Sequence, residues 1–106
     1  MRITYDKLVR DKIPEIIRAE GRQCVVLSMS DVGYLVALLE KLVEEAVEAK
    51  QSDPSHLLTE FADILEVMHS ILAVQGTEWS SVVETQESRR SERGAFEKRL
   101  KLLWVE

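Results

Sequence analysis

Five carboxylates near the middle of the chain, Glu44, Glu45, Glu48, Glu60 and Asp63, have spacings that let them act together. At about 100° per residue, Glu45 and Glu48 share one helix face, as do Glu60 and Asp63, because side chains three positions apart are neighbours. Between the two groups, Ser52-Asp53-Pro54 breaks the helical pattern, so a tight hairpin would gather Glu45, Glu48, Glu60 and Asp63 at one point. A Glu-rich helix is usually just a solvated face. Glu60 argues otherwise, since Val67 lies roughly 20° to one side of it on the wheel and Ile71 roughly 20° to the other, with Ile64 close by. A carboxylate in an apolar sector has to be paired, protonated or bound to a cation. Asp63 and Glu45 sit at the edges of their apolar arcs and can turn toward the same centre. From Asp31 to Glu66 there are nine acidic residues and only two bases, Lys41 and Lys50. With no base expected on the facing positions, the pattern points to a divalent metal, and all-oxygen ligands suit Mg²⁺ or Mn²⁺ better than zinc.

Helices must position these groups. A short one is expected over Ile13 to Glu20, with Asp11 as N-cap, Pro14 in the first turn and Gly21 as the stop. The Cys-Val-Val-Leu run within Gln23 to Ser28 reads as a strand. Ser30 or Asp31 then caps a long helix to about Gln51. Its apolar positions Leu35, Leu38, Leu39, Leu42 and Ala46 follow helical spacing, and Val36, Val43 and Val47 widen the arc to about half the wheel. Asp53 caps the next helix with Pro54 in its first turn, and Gly76 ends it. So short a connection favours antiparallel packing. Thr77 caps a further helix to about Arg90, and after Gly94 the tail AFEKRLKLLWVE can pair as a strand with residues 23–28. The expected fold is an all-α bundle around the acidic hairpin, with a small two-stranded β element.

The composition narrows the function classes. A chain of 106 residues, 45% hydrophobic and 31% charged, has the balance of one soluble globular domain, and no repeat or linker is visible. A net charge of −5 argues against binding a nucleic-acid polymer. The single cysteine, Cys24, excludes an intrachain disulfide framework and fits a reducing cytoplasm. Charged residues interrupt any signal-like stretch at the N-terminus, and the longest apolar run, Tyr34 to Leu39, is too short to span a bilayer.

Twelve of the 14 Lys and Arg residues lie outside the hairpin and bunch at the two ends of the chain. Lys7, Arg10 and Lys12 form one group; Arg89, Arg90, Arg93, Lys98, Arg99 and Lys101 form the other. Any one of them is as readily a solvated surface charge. Acidic metal ligands with separate basic groups nevertheless suggest a metal-bound polyphosphate, whose oxygens need both the cation and Lys/Arg donors.

Glu44-Glu45-x-x-Glu48 followed by Glu60-x-x-Asp63 resembles the paired EExxE and ExxD motifs of the all-α nucleoside triphosphate pyrophosphohydrolase superfamily, which includes MazG, dimeric dUTPases and phosphoribosyl-ATP pyrophosphohydrolase. Lys7-Leu8-Val9-Arg10-Asp11-Lys12-Ile13-Pro14 and Arg93-Gly94-Ala95-Phe96-Glu97-Lys98-Arg99 resemble segments of its small house-cleaning branch. The resemblance implies that Glu45, Glu48, Glu60 and Asp63 hold Mg²⁺, with Glu44 a ligand or a water-orienting base. It implies hydrolysis of a nucleoside triphosphate to the monophosphate and pyrophosphate, or the same chemistry on phosphoribosyl-ATP. Glu44 and Glu45 would then be the catalytic carboxylates, Lys7, Arg10, Lys12, Arg93, Lys98 and Arg99 the phosphate-binding candidates, and the assembly a homodimer or homotetramer.

Two other readings compete. Glu66-x-x-His69 has the spacing used by carboxylate-bridged di-iron bundles, but such sites need two copies and the chain has one. His69 also falls on the polar side of its helix. The second is a non-enzymatic helical assembly module whose acidic residues only solubilise it. Trp79 and Trp104 can stack on a base, although packing is the commoner fate of tryptophan. His56 lies near Asp63 on the wheel or at a solvated helix start.

Overall fold

The computed structural model describes all residues from Met1 to Glu106, and their regular structure is entirely helical. The helices are α1 (Ile13–Ala19), α2 (Asp31–Gln51), α3 (Leu57–Gln75) and α4 (Trp79–Arg93), with a 3₁₀ turn at Pro54–His56 between α2 and α3. The chain divides into two compact units, Met1–Gly76 and Thr77–Glu106.

In the first unit, local chemistry sets the limits of the two long helices. Ser30 is extended, and its hydroxyl accepts a hydrogen bond from the Gly33 N–H at 3.2 Å, satisfying one of the donors left open at a helix start. Asp31 in the first turn and Lys50 in the last complement the helix dipole. At the other end, Asp53 accepts from the Ser55 N–H at 2.9 Å and from the Ser55 hydroxyl at 2.7 Å, so the break begins with a closed Asx-type turn. Pro54 leads the 3₁₀ turn, where its missing N–H costs nothing. Gly76 ends α3 in the left-handed region at φ 67°, a conformation in which a side chain would be strained.

Helices α2 and α3 then pack antiparallel. The inner face of α2 carries Tyr34, Leu38, Lys41, Leu42 and Glu45; that of α3 carries Glu60, Asp63, Ile64, Val67 and Ile71. Leu38 at 2% exposure and Val67 at 8% form the apolar centre of this seam. A second apolar stripe runs down each helix: Val32, Val36, Leu39, Val43 and Val47 on α2, and Leu58, Phe61 and Leu65 on α3, all solvent-exposed. On the wheel the outer stripe of α2 lies about 155° and that of α3 about 135° from the respective inner face, so both point largely away from the seam and leave apolar surface on the outer sides of the hairpin.

Several local expectations are corrected. No strand forms, either over residues 23–28 or in the tail. The Cys24 thiol lies 3.9 Å from the Pro14 carbonyl, tying its segment to α1, while Val25, Val26 and Leu27 are exposed. β-Branched residues make the backbone extended, but a ladder needs a non-local partner, and none is supplied. Lys12 rather than Asp11 occupies the N-cap of α1, with backbone angles already helical and no side-chain cap. In the second unit Glu78 rather than Thr77 precedes α4, which continues to Arg93 before Gly94 turns at φ 81°. Trp104 is 71% exposed, so it serves no core in the chain.

Removing the Ser30 hydroxyl (Ser30→Ala) should cost about 1 kcal/mol of unfolding free energy, and Leu38→Ala about 2–5 kcal/mol. Urea titration followed by circular dichroism measures both. Equal effects would mean that the α2–α3 seam is not the core.

Candidate metal centre

Glu45 lies two turns along α2 from Leu38, on the same inner face, so the packing that buries the leucine also buries the carboxylate. It is 7% exposed. Across the seam, α3 presents Glu60 and Asp63 from adjacent positions on its own inner face. One carboxylate oxygen from each of Glu45, Glu60 and Asp63 lies within 4.8 Å of the others. Opposite ligands of an oxygen-bound Mg²⁺ or Ca²⁺ are separated by roughly 4–5 Å, so the cluster fits a hard divalent cation with little movement. Two of its buried oxygens, Oε2 of Glu45 and Oε2 of Glu60, have no hydrogen-bond partner. Buried polar atoms are ordinarily satisfied, and an acceptor-only group without a donor is what a cation would complete.

The surroundings are not purely acidic, which corrects the expectation that no base faces the cluster. The Lys41 ammonium lies 3.5 Å from Glu45 Oε1 and 3.6 Å from Glu44 Oε1. Lys7 donates to Glu44 Oε1 at 2.9 Å, and Arg10 donates through Nη2 to Asp63 Oδ1 at 2.8 Å. Lys41 was legible as an i,i+4 partner of Glu45. Lys7 and Arg10 arrive from an arm 37 and 53 residues away in sequence, where spacing says nothing.

These contacts drive Glu44 and Glu45 in opposite directions. Burial raises the Glu45 carboxyl above its ordinary value, and the nearby charges of Glu48 and Asp63 add to the rise against the pull of Lys41. The hydrogen bond and charge of Lys7, aided by Lys41, hold Glu44 below the ordinary carboxylate range. Adjacent glutamates are thus pushed in opposite directions, Glu45 upward by burial and Glu44 downward by its lysine partners.

Of the residues singled out from sequence, Glu45, Glu60 and Asp63 come together as the triad. Glu48 lies outside it and is exposed, although its charge is felt at Glu45. Glu44 stands beside the triad in its ion pairs with Lys7 and Lys41. Lys12 is exposed at the start of α1. His56 and His69 are both exposed. Arg93, Lys98 and Arg99 belong to the second unit, where Arg93 lines an open groove of about 870 Å³ along α4 with Arg89, Arg90 and Phe96. In the sequence Arg89 and Arg90 read only as part of a basic run; their i, i+3 and i+4 relation to Arg93 and Gln86 is the signal that places them on one face.

No family model matches the chain, and no solved structure does. A stretch of 47 residues, 44% of the chain, is 51% identical to a protein of Mycolicibacterium smegmatis (strain ATCC 700084 / mc(2)155) described as uncharacterized. The match covers 48% of that relative. No helix is long and apolar enough to cross a membrane.

A buried, under-solvated carboxylate should cost stability when no cation is bound. Glu45→Gln is therefore expected to raise metal-free stability at pH 7 by about 1–2 kcal/mol. The pH dependence carries the sign. A raised folded pKa means that the Glu45 penalty is complete above that value and fades as pH falls toward the ordinary glutamate value of 4.5. The stabilising contribution of Glu44 is present above 4.5 and is lost below it, as pH falls through its depressed folded pKa. Thermal melts in chelator should therefore show wild type gaining stability relative to Glu45→Gln as pH is lowered from 7 to 5; a constant difference would remove Glu45 as the strained group.

Proposed function

We propose that the chain is a Mg²⁺-dependent nucleoside triphosphate pyrophosphohydrolase of the all-α, MazG-like class, acting on aberrant nucleotides in the cytoplasm, with Mn²⁺ able to replace Mg²⁺. The observation that carries this reading is the convergence of Glu45, Glu60 and Asp63, with two buried oxygens left without donors. Pairing of the acidic motifs across the α2–α3 seam supports the resemblance that suggested the activity.

Glu45, Glu60 and Asp63 would hold the cation, and Glu48, whose charge reaches Glu45, would be the fourth carboxylate of the set. When bound, the cation supplies neutralisation of phosphate charge and acidification of water. Glu44 is kept ionised by Lys7 and Lys41, so it is a poor proton acceptor but a persistent hydrogen-bond acceptor. Its role is to orient the attacking water. The water oxygen bonds to the α-phosphorus and its proton passes to bulk solvent, the bond from that phosphorus to the α–β bridging oxygen breaks, and pyrophosphate departs with the electron pair. Basic side chains stabilise the developing charge on the leaving group. Phosphoribosyl-ATP contains the same bond and belongs in any substrate panel.

The exposed apolar side chains of the hairpin support assembly with a second copy. Leu39 and Val43 on α2, with Phe61 and Leu65 on α3, are apolar surface that a second hairpin would cover in a four-helix arrangement.

Pyrophosphate release should be assayed with normal and damaged nucleoside triphosphates and phosphoribosyl-ATP. Release that requires Mg²⁺ or Mn²⁺, with the monophosphate as co-product, is expected for wild type and should fall about 100-fold or more in Glu60→Gln. No turnover across the panel, with no metal-dependent rise in melting temperature, would move the function to a binding or assembly role. Sedimentation equilibrium should find an oligomer that Val43→Glu dissociates; a wild-type monomer would refute the assembly.

A further inference from the structure

The arm that precedes α1 has no regular structure, and its ties to the acidic hairpin are ionic. Lys7 Nζ reaches Glu44 at 2.9 Å and Arg10 Nη2 reaches Asp63 at 2.8 Å, with Leu8 half-buried between them. Both bases remain largely open to solvent, at 44% and 59% side-chain exposure. Ion pairs of this kind are individually weak and exchangeable. Yet one of them occupies Asp63, a corner of the carboxylate triad.

Charge counting shows what the arm does there. Glu44, Glu45, Glu48, Glu60 and Asp63 contribute five negative charges when ionised, and Lys7, Arg10 and Lys41 three positive ones, leaving −2. One divalent cation balances that sum while the arm is in place. Without Lys7 and Arg10 the same cluster stands at −4 and repels any polyanion brought beside it. The two bases therefore serve as built-in counter-charges on two of the clustered carboxylates, Glu44 and Asp63.

We propose that Lys7 and Arg10 form an exchangeable cationic strap, paired with Glu44 and Asp63 in the resting protein and transferring to the phosphate oxygens when a triphosphate–metal complex binds. The strap rests on the metal-centre reading above. It makes a distinct claim, that Arg10 competes with the cation for Asp63 when no polyphosphate is present and assists binding when one is. Guanidinium suits both roles because carboxylate and phosphate present the same forked acceptor geometry.

The opposed signs make the strap testable by binding alone. Mn²⁺ affinity, read from the electron paramagnetic resonance signal of free Mn²⁺, should be about three- to tenfold tighter in Arg10→Gln than in wild type, with the gain shrinking in 0.5 M KCl as screening predicts. Affinity for inorganic tripolyphosphate with Mg²⁺, read by calorimetry, should be about tenfold weaker in the same variant. Arg10→Lys should restore most of both, and Lys7→Gln should weaken tripolyphosphate binding similarly. Unchanged or weaker Mn²⁺ binding in Arg10→Gln, beside normal binding by wild type, overturns the strap and leaves the metal centre intact. Equal tripolyphosphate binding by wild type and Arg10→Gln, or none by wild type, overturns the transfer to phosphate. Absence of saturable Mn²⁺ binding in wild type overturns metal centre and strap together.

Discussion

The interaction on which the rest depends is the burial of a carboxylate in the seam between two antiparallel helices. Glu45 follows Leu38 down the inner face of α2, so apolar packing and charge desolvation are imposed by the same helix pairing. Moving an ionised carboxylate out of water is costly unless donors or a cation replace the lost solvation. Here Lys41 compensates one oxygen at 3.5 Å while the other has no partner. An apolar residue at this position would carry no such cost, so the acid is an electrostatic burden on the fold.

Around that strain the hairpin is built rigidly. Ser30 caps α2, the Asp53–Ser55 turn and Pro54 reverse the chain, and Gly76 closes α3, so the triad is carried on two well-terminated helices rather than on loops. Ligands borne by helices keep their separations when solvent or ions change, and that preorganisation is what a cation site requires. The same two helices carry apolar stripes on their outer sides, so one supersecondary unit holds a carboxylate cluster beside an apolar seam and leaves further apolar surface exposed.

The arm supplies the electrostatic complement. Because Lys7 and Arg10 reach Glu44 and Asp63 across long sequence separations, the cluster is partly balanced by residues that are not fixed to its helices. The negative charges stand on helices and two of the positive ones on an arm without regular structure, so the balance at the cluster is set by two separate parts of the chain. The groove beside Arg89, Arg90, Arg93 and Phe96 in the second unit shows a comparable pairing of arginines with an exposed aromatic ring, built by α4 periodicity and the turn at Gly94.

How much was legible beforehand follows from the range of the forces involved. Helix limits at Ser30, Gln51 and Gly76 could be read because caps, breaks and apolar periodicity act within a few residues. The convergence of Glu45, Glu60 and Asp63 was legible for the same reason, since a short break between two amphipathic helices leaves antiparallel pairing as the way to bury their faces. The strands anticipated at residues 23–28 and in the tail did not form, because an extended backbone is a local preference whereas a ladder needs a partner from elsewhere. Glu48 shares a face with Glu45 on the wheel, yet it sits one turn farther along α2 and stays exposed while Glu45 is covered. The Lys7–Glu44 and Arg10–Asp63 pairs were decided by tertiary structure alone. The sequence by itself determined which carboxylates could meet; only the fold decided which of them lost water and which basic residues came to stand beside them, because desolvation and ion pairing depend on neighbours that are distant along the chain.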